Sequence, residues 1–344
     1  MINYWFTMGP PHYGRRMRSS PIFRKGRPAL PAVLTVSALT VGVSLTGTPA
    51  RAATPPVSHA RILAHLDLAA GAQPENIALE PDGSADLTYG FSGRVARVDR
   101  TGRVSVIAQV PIPADGDVPL THGKIFLGGI VRLPGGARYV AVSTGTAQGT
   151  GVYRLRAGRA PVRVAALSPG AFLNGMAYDR RTRRLFVADS AQGRVWSLSP
   201  RGGAPAAWAG GSVLASRTAG GFGANGLKVR GGSVWVSNLD AGTLVHVPIT
   251  RNGAAGRPAV AAKGLGPVDD FAFTGRGTAV LAAVNQENKV VLVDSRGTAK
   301  TVLTAADGLS NPTSVAVRGR TVYIADAAYF TRRDPNLLVA RLRR

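Results

Sequence analysis

The stretch that decides the fold is MAYDRRTRRLFVADSAQGRVWSL, residues 176–198. It contains three short runs rich in apolar and aromatic residues, Met176–Asp179, Leu185–Asp189 and Arg194–Leu198, which are separated by polar turns. Short runs of this kind between turn residues predict antiparallel β-strands joined by tight connections. The stretch therefore predicts a meander of short strands, without a helix.

The same pattern recurs along the chain, so the meander is one unit of a repeat. In each unit, the anchor is the residue two positions before the first apolar residue of the first strand. The spacings between successive anchors are 53, 46, 51, 44 and 44 residues. The six anchors are Glu75, Gly128, Asn174, Asn225, Asp269 and Thr313. Four short strands at a period in the forties are typical of a propeller blade, so the sequence predicts an all-β, six-bladed propeller of four-stranded blades.

The sixth unit ends after its third strand, Leu337–Leu342, and needs a partner for its outer edge. The segment Arg61–Leu68, just before the first unit, is the predicted donor of that fourth strand. Pairing it there closes the ring and hides an exposed sheet edge. The expected organisation is a propeller over residues 61–344, preceded by a short tail over residues 53–60.

Residues 1–52 have the composition of a targeting segment. They contain seven bases and no acid, an apolar run from Ala29 to Leu45, and the small-residue motif Ala50-Arg51-Ala52. A basic region, an apolar region and such a motif predict a secretory signal peptide, and hence a secreted, extracellular protein. A membrane anchor is the alternative, although the run is near the lower limit for a span. The chain has no cysteine, so disulfides cannot hold the fold together.

The charge balance bears on possible partners. The formal net charge of +24 falls to +17 after removal of residues 1–52, because seven bases and no acids are lost. A basic surface can attract nucleic acid or an anionic cell-surface polymer. The bases are scattered and few aromatic residues lie among them, so nucleic-acid binding is not expected. An anionic cell-surface polymer stays open as a partner, a small-molecule substrate is expected, and we expect a monomer.

Four of the anchors carry oxygen-bearing side chains that suit a metal. First strands line the channel of a propeller, and their N-terminal ends meet at one mouth of it. Glu75, Asn174, Asn225 and Asp269 would supply two carboxylates and two amide oxygens, the ligands that calcium prefers, although another divalent cation would also fit. The alternative is that Asn and Asp at the starts of strands cap tight turns.

The segments around these anchors resemble a known family. They are Pro74–Ala78, Phe172–Met176, Val187–Ser190, Ala224–Leu227 and Val268–Phe271. They are similar to the senescence-marker protein/regucalcin, gluconolactonase and luciferin-regenerating-enzyme family, within the calcium-dependent phosphotriesterase-like propellers.

The resemblance implies a channel calcium held by Glu, Asn, Asn and Asp in that chain order, which the four anchors reproduce. It also implies hydrolysis of lactones or phosphotriesters, with the metal polarising the reacting oxygen. The chain departs from the family at Asp269-Asp270, where relatives often have Asp-Gly, so either carboxylate could face the channel. It departs again at Gly128, which offers no side chain.

Two residues are candidates for catalysis. Asp269 is the expected base or nucleophile, and His122, in the long loop Pro111–Gly123, could act as a proton shuttle or be an ordinary exposed histidine. The leading hypothesis is a secreted calcium-dependent hydrolase of a lactone or related ester. The alternative is a non-catalytic propeller that binds a ligand or an anionic cell-wall polymer, because this fold supports many unrelated functions.

Overall fold

The structure, a computed structural model, describes residues 56–343. The predicted signal peptide lies outside the described residues. Within them the chain forms β-strands and two single turns of 3-10 helix, Pro119–Thr121 and Ala305–Asp307. In that range no helix has the length and apolar character needed to cross a membrane.

The strands form six antiparallel sheets of four, and each sheet is one blade of a ring. The closing strand is β1 (Val57–His65). Blades one and two contain β2 (Pro74–Leu79), β3 (Ala85–Tyr89), β4 (Arg94–Val98), β5 (Val104–Gln109), β6 (Phe126–Arg132), β7 (Arg138–Ser143), β8 (Gly151–Leu155) and β9 (Val162–Ala166). Blades three and four contain β10 (Leu173–Asp179), β11 (Arg184–Asp189), β12 (Arg194–Leu198), β13 (Ala206–Gly210), β14 (Ala224–Arg230), β15 (Ser233–Asn238), β16 (Thr243–Pro248) and β17 (Ala259–Ala262). Blades five and six contain β18 (Val268–Phe273), β19 (Val280–Val284), β20 (Lys289–Val293), β21 (Ala299–Leu303), β22 (Pro312–Arg318), β23 (Thr321–Asp326) and β24 (Asn336–Leu342). The predicted six-bladed, all-β propeller is confirmed.

The hydrophobic core lies between adjacent blades. One cluster joins Phe186 and Ala188 of blade three to Leu227 and Val236 of blade four, and all four side chains are buried. The inner strands are buried on both faces because each blade is covered by its two neighbours. The outermost strands, such as β5, are exposed. Packing between blades therefore holds the first strands, which carry the anchors, in fixed positions around the channel.

The ring closes as predicted, with β1 antiparallel to β24 in the order β1-β24-β23-β22. The strand begins at Val57 and ends at His65, where the sequence predicted Arg61–Leu68. It begins earlier because β24 continues to Leu342, which pairs with Val57. It ends earlier because the chain turns at Asp67, whose carboxylate accepts a hydrogen bond from the Ala70 amide.

Every first strand contains a β-bulge at its anchor. In blade three, for example, Leu173 pairs with Asp189 and Met176 with Val187, so the two residues between them on β10 face the single residue Ala188 of β11. Equivalent shifts occur in the other five first strands. A bulge adds one residue to one strand and redirects its side chains. The anchor and the residue after it therefore depart from simple alternation in all six blades.

Candidate functional site

The structure brings the four predicted ligands to the same mouth of the channel. Each belongs to a different first strand, and each lies in the bulge near the N-terminal end of that strand. Glu75, Asn174, Asn225 and Asp269 are between 1% and 7% exposed. Buried polar groups need partners, so these four side chains require either one another or a ligand.

Blade two contributes no side chain at this level, as expected from Gly128. A Cβ atom at that position would lie 2.4 Å from the Leu173 carbonyl oxygen of blade three, so only glycine fits. The residues after the anchors in blades two, three and four are also glycines in tight contact with the next blade, namely Gly129, Gly175 and Gly226. Blades two, three and four thus approach the next blade backbone against backbone at these glycines, while the anchors of blades one, three, four and five supply the polar side chains.

Two carboxylates face each other within the buried site. Burial raises the pKa of Glu75 to about 8, against the hydrogen bond from the Tyr329 hydroxyl, and the charge of Asp270 raises this pKa further. Burial also raises the pKa of Asp269 well above its usual range, and the charge of Glu75 adds to this effect, whereas a hydrogen bond from Asn225 opposes it. Both pKa values rise chiefly because burial disfavours the charged form of each carboxyl group, and neighbouring carboxylates add to the rise.

Asn225 provides the clearest sign of a missing partner. Its amide group bonds Asp269, yet its Oδ1 atom is buried and has no hydrogen-bond partner. An unpartnered buried carbonyl oxygen is costly unless something else contacts it. A cation with oxygen ligands would satisfy this atom and both carboxylates, so the donor set fits calcium or a similar hard divalent ion.

The next level of the channel is closed by a second polar group, which we call the polar floor: Asn76, Lys228, Asp270 and Ser314. The Lys228 Nζ atom lies 2.5 and 2.7 Å from the two Asp270 carboxylate oxygens. Asn76 Nδ2 and Ser314 Oγ donate to the same carboxylate at 3.2 and 2.7 Å. Asp270, which is 2% exposed, is therefore fully engaged by protein groups.

The polar floor shows which of the consecutive carboxylates, Asp269 or Asp270, lies among the anchors. Both carboxylates reach the channel, at successive levels. Asp270 is paired with Lys228, whereas Asp269 interacts with Glu75 and Asn225. Asp269 is thus the carboxylate placed among the other anchors.

The charges in this part of the channel do not balance. Glu75, Asp269 and Asp270 carry three negative charges when ionised, and Lys228 provides one positive charge, which Asp270 takes. The two remaining charges equal that of one divalent cation. Within residues 56–343 no group of three or more His, Cys, Asp or Glu side chains is arranged to hold a metal. The candidate centre depends instead on two carboxylates and two amides.

An arc of aromatic rings lies at the same end of the channel, and the sequence did not predict it. Tyr329, Phe91, Phe126, Phe172 and Phe222 come from blades six, one, two, three and four in turn. Successive ring centroids lie 5.2, 6.0, 4.5 and 5.3 Å apart. The Tyr329 hydroxyl donates a 2.7 Å hydrogen bond to Glu75, although part of its ring is exposed. One signal in the sequence could have revealed the arc, because Phe126 and Phe172 each lie two residues before an anchor.

His122 lies outside this cluster of buried groups. It ends the 3-10 turn Pro119–Thr121 in a left-handed backbone conformation, and its side chain is exposed. The end of this loop is near the aromatic arc, because the Nζ atom of Lys124, the residue after it, lies 5.3 Å from the Phe91 ring centroid. A role for His122 in proton transfer stays a prediction.

Comparison with known proteins shows similarity in structure. No protein-family model matches the chain, and no curated protein sequence matches it. A luciferin-regenerating enzyme is 11% identical with a TM-score of 0.61, over 83% of this chain and 95% of that one. A gluconolactonase from Xanthomonas campestris is 15% identical with a TM-score of 0.58, over 86% of this chain and 99% of that one. The chain shares their fold.

The fold also occurs in a protein of different chemistry. Virginiamycin B lyase from Staphylococcus aureus, in a structure with quinupristin, is 14% identical with a TM-score of 0.56, over 79% of this chain and 82% of that one. The resemblance expected from the sequence is therefore confirmed at the level of the fold. The chemistry has to be argued from the site itself.

Proposed function

We propose that the chain is a secreted, calcium-dependent hydrolase that acts on a lactone or a related small-molecule ester. The observation that carries the proposal is the pair Glu75 and Asp269, two buried carboxylates beside the unpartnered Oδ1 atom of Asn225. The ammonium group that reaches this part of the channel, that of Lys228, is already paired with Asp270. The proposal of secretion rests on the composition of residues 1–52.

Glu75, Asn174, Asn225 and Asp269 would hold the cation. When bound, calcium supplies Lewis-acid polarisation of an ester carbonyl. Tyr329 orients Glu75 through its hydroxyl hydrogen bond. Asp270 is held by the polar floor and Glu75 accepts the Tyr329 hydrogen bond, whereas Asp269 lies beside the amide of Asn225. We assign to Asp269 the acceptance of a proton from water, the role of a general base.

A binding protein without turnover is the competing function, and one observation favours it. The aromatic arc lies at the anchor end of the channel, and Phe126, Phe172 and Phe222 are at most 5% exposed. A cation beside this arc would stabilise the ring while a ligand or an anionic polymer binds elsewhere.

One experiment separates these functions. The purified protein, after treatment with chelator, is melted with and without calcium and is then assayed on a panel of lactones and aryl esters. The proposed function predicts a calcium-dependent rise in the melting temperature together with calcium-dependent turnover. Stabilisation without turnover would support the binding protein. The absence of any effect of calcium on melting would remove the metal from the proposal.

A further inference from the structure

The channel has a second chamber on the far side of the polar floor. It is a cavity of about 390 Å³, lined by the first strands of all six blades. This volume lies within the range of small-molecule sites in proteins. Lining residues such as Val131, Tyr178 and Val317 are partly exposed, so the cavity opens to solvent. It opens at the end of the channel opposite the anchors, because these residues lie near the C-terminal ends of their strands.

The cavity exists because small residues occupy one level of the channel. Three positions after the anchor, four of the six first strands carry alanine: Ala78, Ala177, Ala272 and Ala316. Blade four has Lys228 at this level, and its side chain extends to the polar floor. The walls are otherwise mainly aliphatic. The chamber is therefore apolar with one ammonium group at its inner end.

The charge around the cavity is positive. Among the described lining residues the charged ones are Lys228 and Arg132, and both are basic. Arg132 also belongs to an ion-pair network in which Arg97, Arg132 and Arg138 contact Glu80 and Asp86, and the charge of Asp82 acts on Arg97 as well. Because both charged side chains of the lining are basic, the cavity should attract anions rather than cations.

Lys228 also keeps one hydrogen-bond donor for a ligand. An ammonium group has three donors, and its contacts with Asp270 use two of them. Its side chain is 26% exposed, whereas that of Asp270 is 2% exposed. A carboxylate entering the cavity could therefore reach the ammonium group without displacing Asp270.

We propose that this chamber binds a small organic monoanion with an apolar body, such as a medium-chain carboxylate. The apolar walls take the hydrocarbon part, Lys228 takes the carboxylate, and the basic character of the lining raises the local concentration of the anion. The site is separate from the proposed metal centre and does not depend on it.

Octanoate is a suitable probe, with octanamide as its neutral counterpart. Calorimetric titration of the full chain, in the presence of chelator, should show one octanoate per chain. Octanamide should bind at least about tenfold more weakly, a factor that corresponds to roughly 1.4 kcal/mol. Equal binding of the two compounds, or no octanoate binding up to its solubility limit, would overturn the proposal.

Three variants locate the site. Lys228→Met should reduce octanoate affinity by about tenfold or more, because it removes the charge-assisted hydrogen bond. Ala316→Leu should also reduce octanoate affinity, because it fills the cavity and keeps every charge. This variant tests the site even if Lys228→Met fails to fold. Lys300→Met, on the exposed outer strand β21, is the matched control and should bind as the parent does. Unchanged affinity in Ala316→Leu, with its melting transition intact, would place the binding elsewhere and refute the proposal.

Discussion

Raising the pH should destabilise the calcium-free protein, and Glu75 is the main cause. The pKa of this carboxyl rises from 4.5 to about 8 on folding, chiefly because it is buried. Between these values the folded protein holds a proton that the unfolded chain has released. Stability falls with pH wherever the folded state binds more protons. The contribution of Glu75 to the free energy of unfolding should therefore be highest below about pH 4.5 and should decline until about pH 8.

The size of the decline follows from the same two values. One unit of difference in pKa corresponds to about 1.4 kcal/mol, so the interval from 4.5 to about 8 sets an upper bound of roughly 5 kcal/mol. Asp269 acts in the same direction, because its pKa is also raised by burial and by Glu75. Calcium should oppose the loss, because the proposed site would hold it through the ionised carboxylates. At about 100 times its Kd it adds roughly 2.7 kcal/mol if it binds only the folded state.

Urea denaturation between pH 5 and pH 9, in chelator and in calcium, measures both effects. Glu75→Gln cannot ionise at this position, so it should flatten the decline in chelator and weaken the effect of calcium. Glu287→Gln is the matched control, because the Glu287 side chain is 46% exposed and pairs with Lys289, and it should keep the parental pH profile. A chelated parent protein whose stability is constant or rises from pH 5 to pH 8 would refute the reasoning.

Three further predictions concern the site and the ring. Asp269→Asn keeps an oxygen ligand but removes the proposed base, so at saturating calcium the initial rate on a lactone should fall by about 10²–10⁴-fold; a parental rate would exclude this role. Tyr329→Phe removes a hydrogen bond to Glu75 that stabilises the carboxylate by on the order of 2 kcal/mol. Calcium titrations should therefore show weaker binding at pH 7, and the affinity should recover at higher pH. Unchanged affinity would contradict the assigned orientation of Glu75. Deletion of residues 57–65 exposes the edge of β24, so scanning calorimetry should show loss of the cooperative transition or aggregation, whereas parental melting would mean that the ring is stable without this strand.

Much of the fold could be predicted from the sequence because the repeat is local. Each blade carries its own alternation of apolar runs and turns, so the second strand of blade three, predicted at Leu185–Asp189, is observed at Arg184–Asp189. The closing strand was predicted correctly, but its first and last residues were not. Its limits depend on how far β24 extends and on the turn after His65, which are properties of the assembled ring.

The site was predictable only in part, because a bulge is invisible in a pattern of alternating residues. Four anchors were identified from their equivalent positions in the repeat, and the structure places all four, buried, at one mouth of the channel. The pairing of Asp270 with Lys228 joins two blades, and the position of Lys228 three residues after an anchor carries no local signal. Tyr329 lies in a connection after β23, so its contact with Glu75 also depends on closure of the ring.

The polar floor explains how one narrow channel could present opposite charges at its two ends. Lys228 approaches from the side of the alanine-lined cavity, whereas Asp270 lies next to the anchors and adds to the negative field that raises the pKa of Glu75. The ion pair therefore shows a cationic side to one chamber and an anionic side to the other. Such an arrangement needs a bulge that turns two consecutive carboxylates, Asp269 and Asp270, into the channel at different levels. The second aspartate, where relatives of the resembled family often have glycine, is what allows a lysine to be held at the centre of the ring.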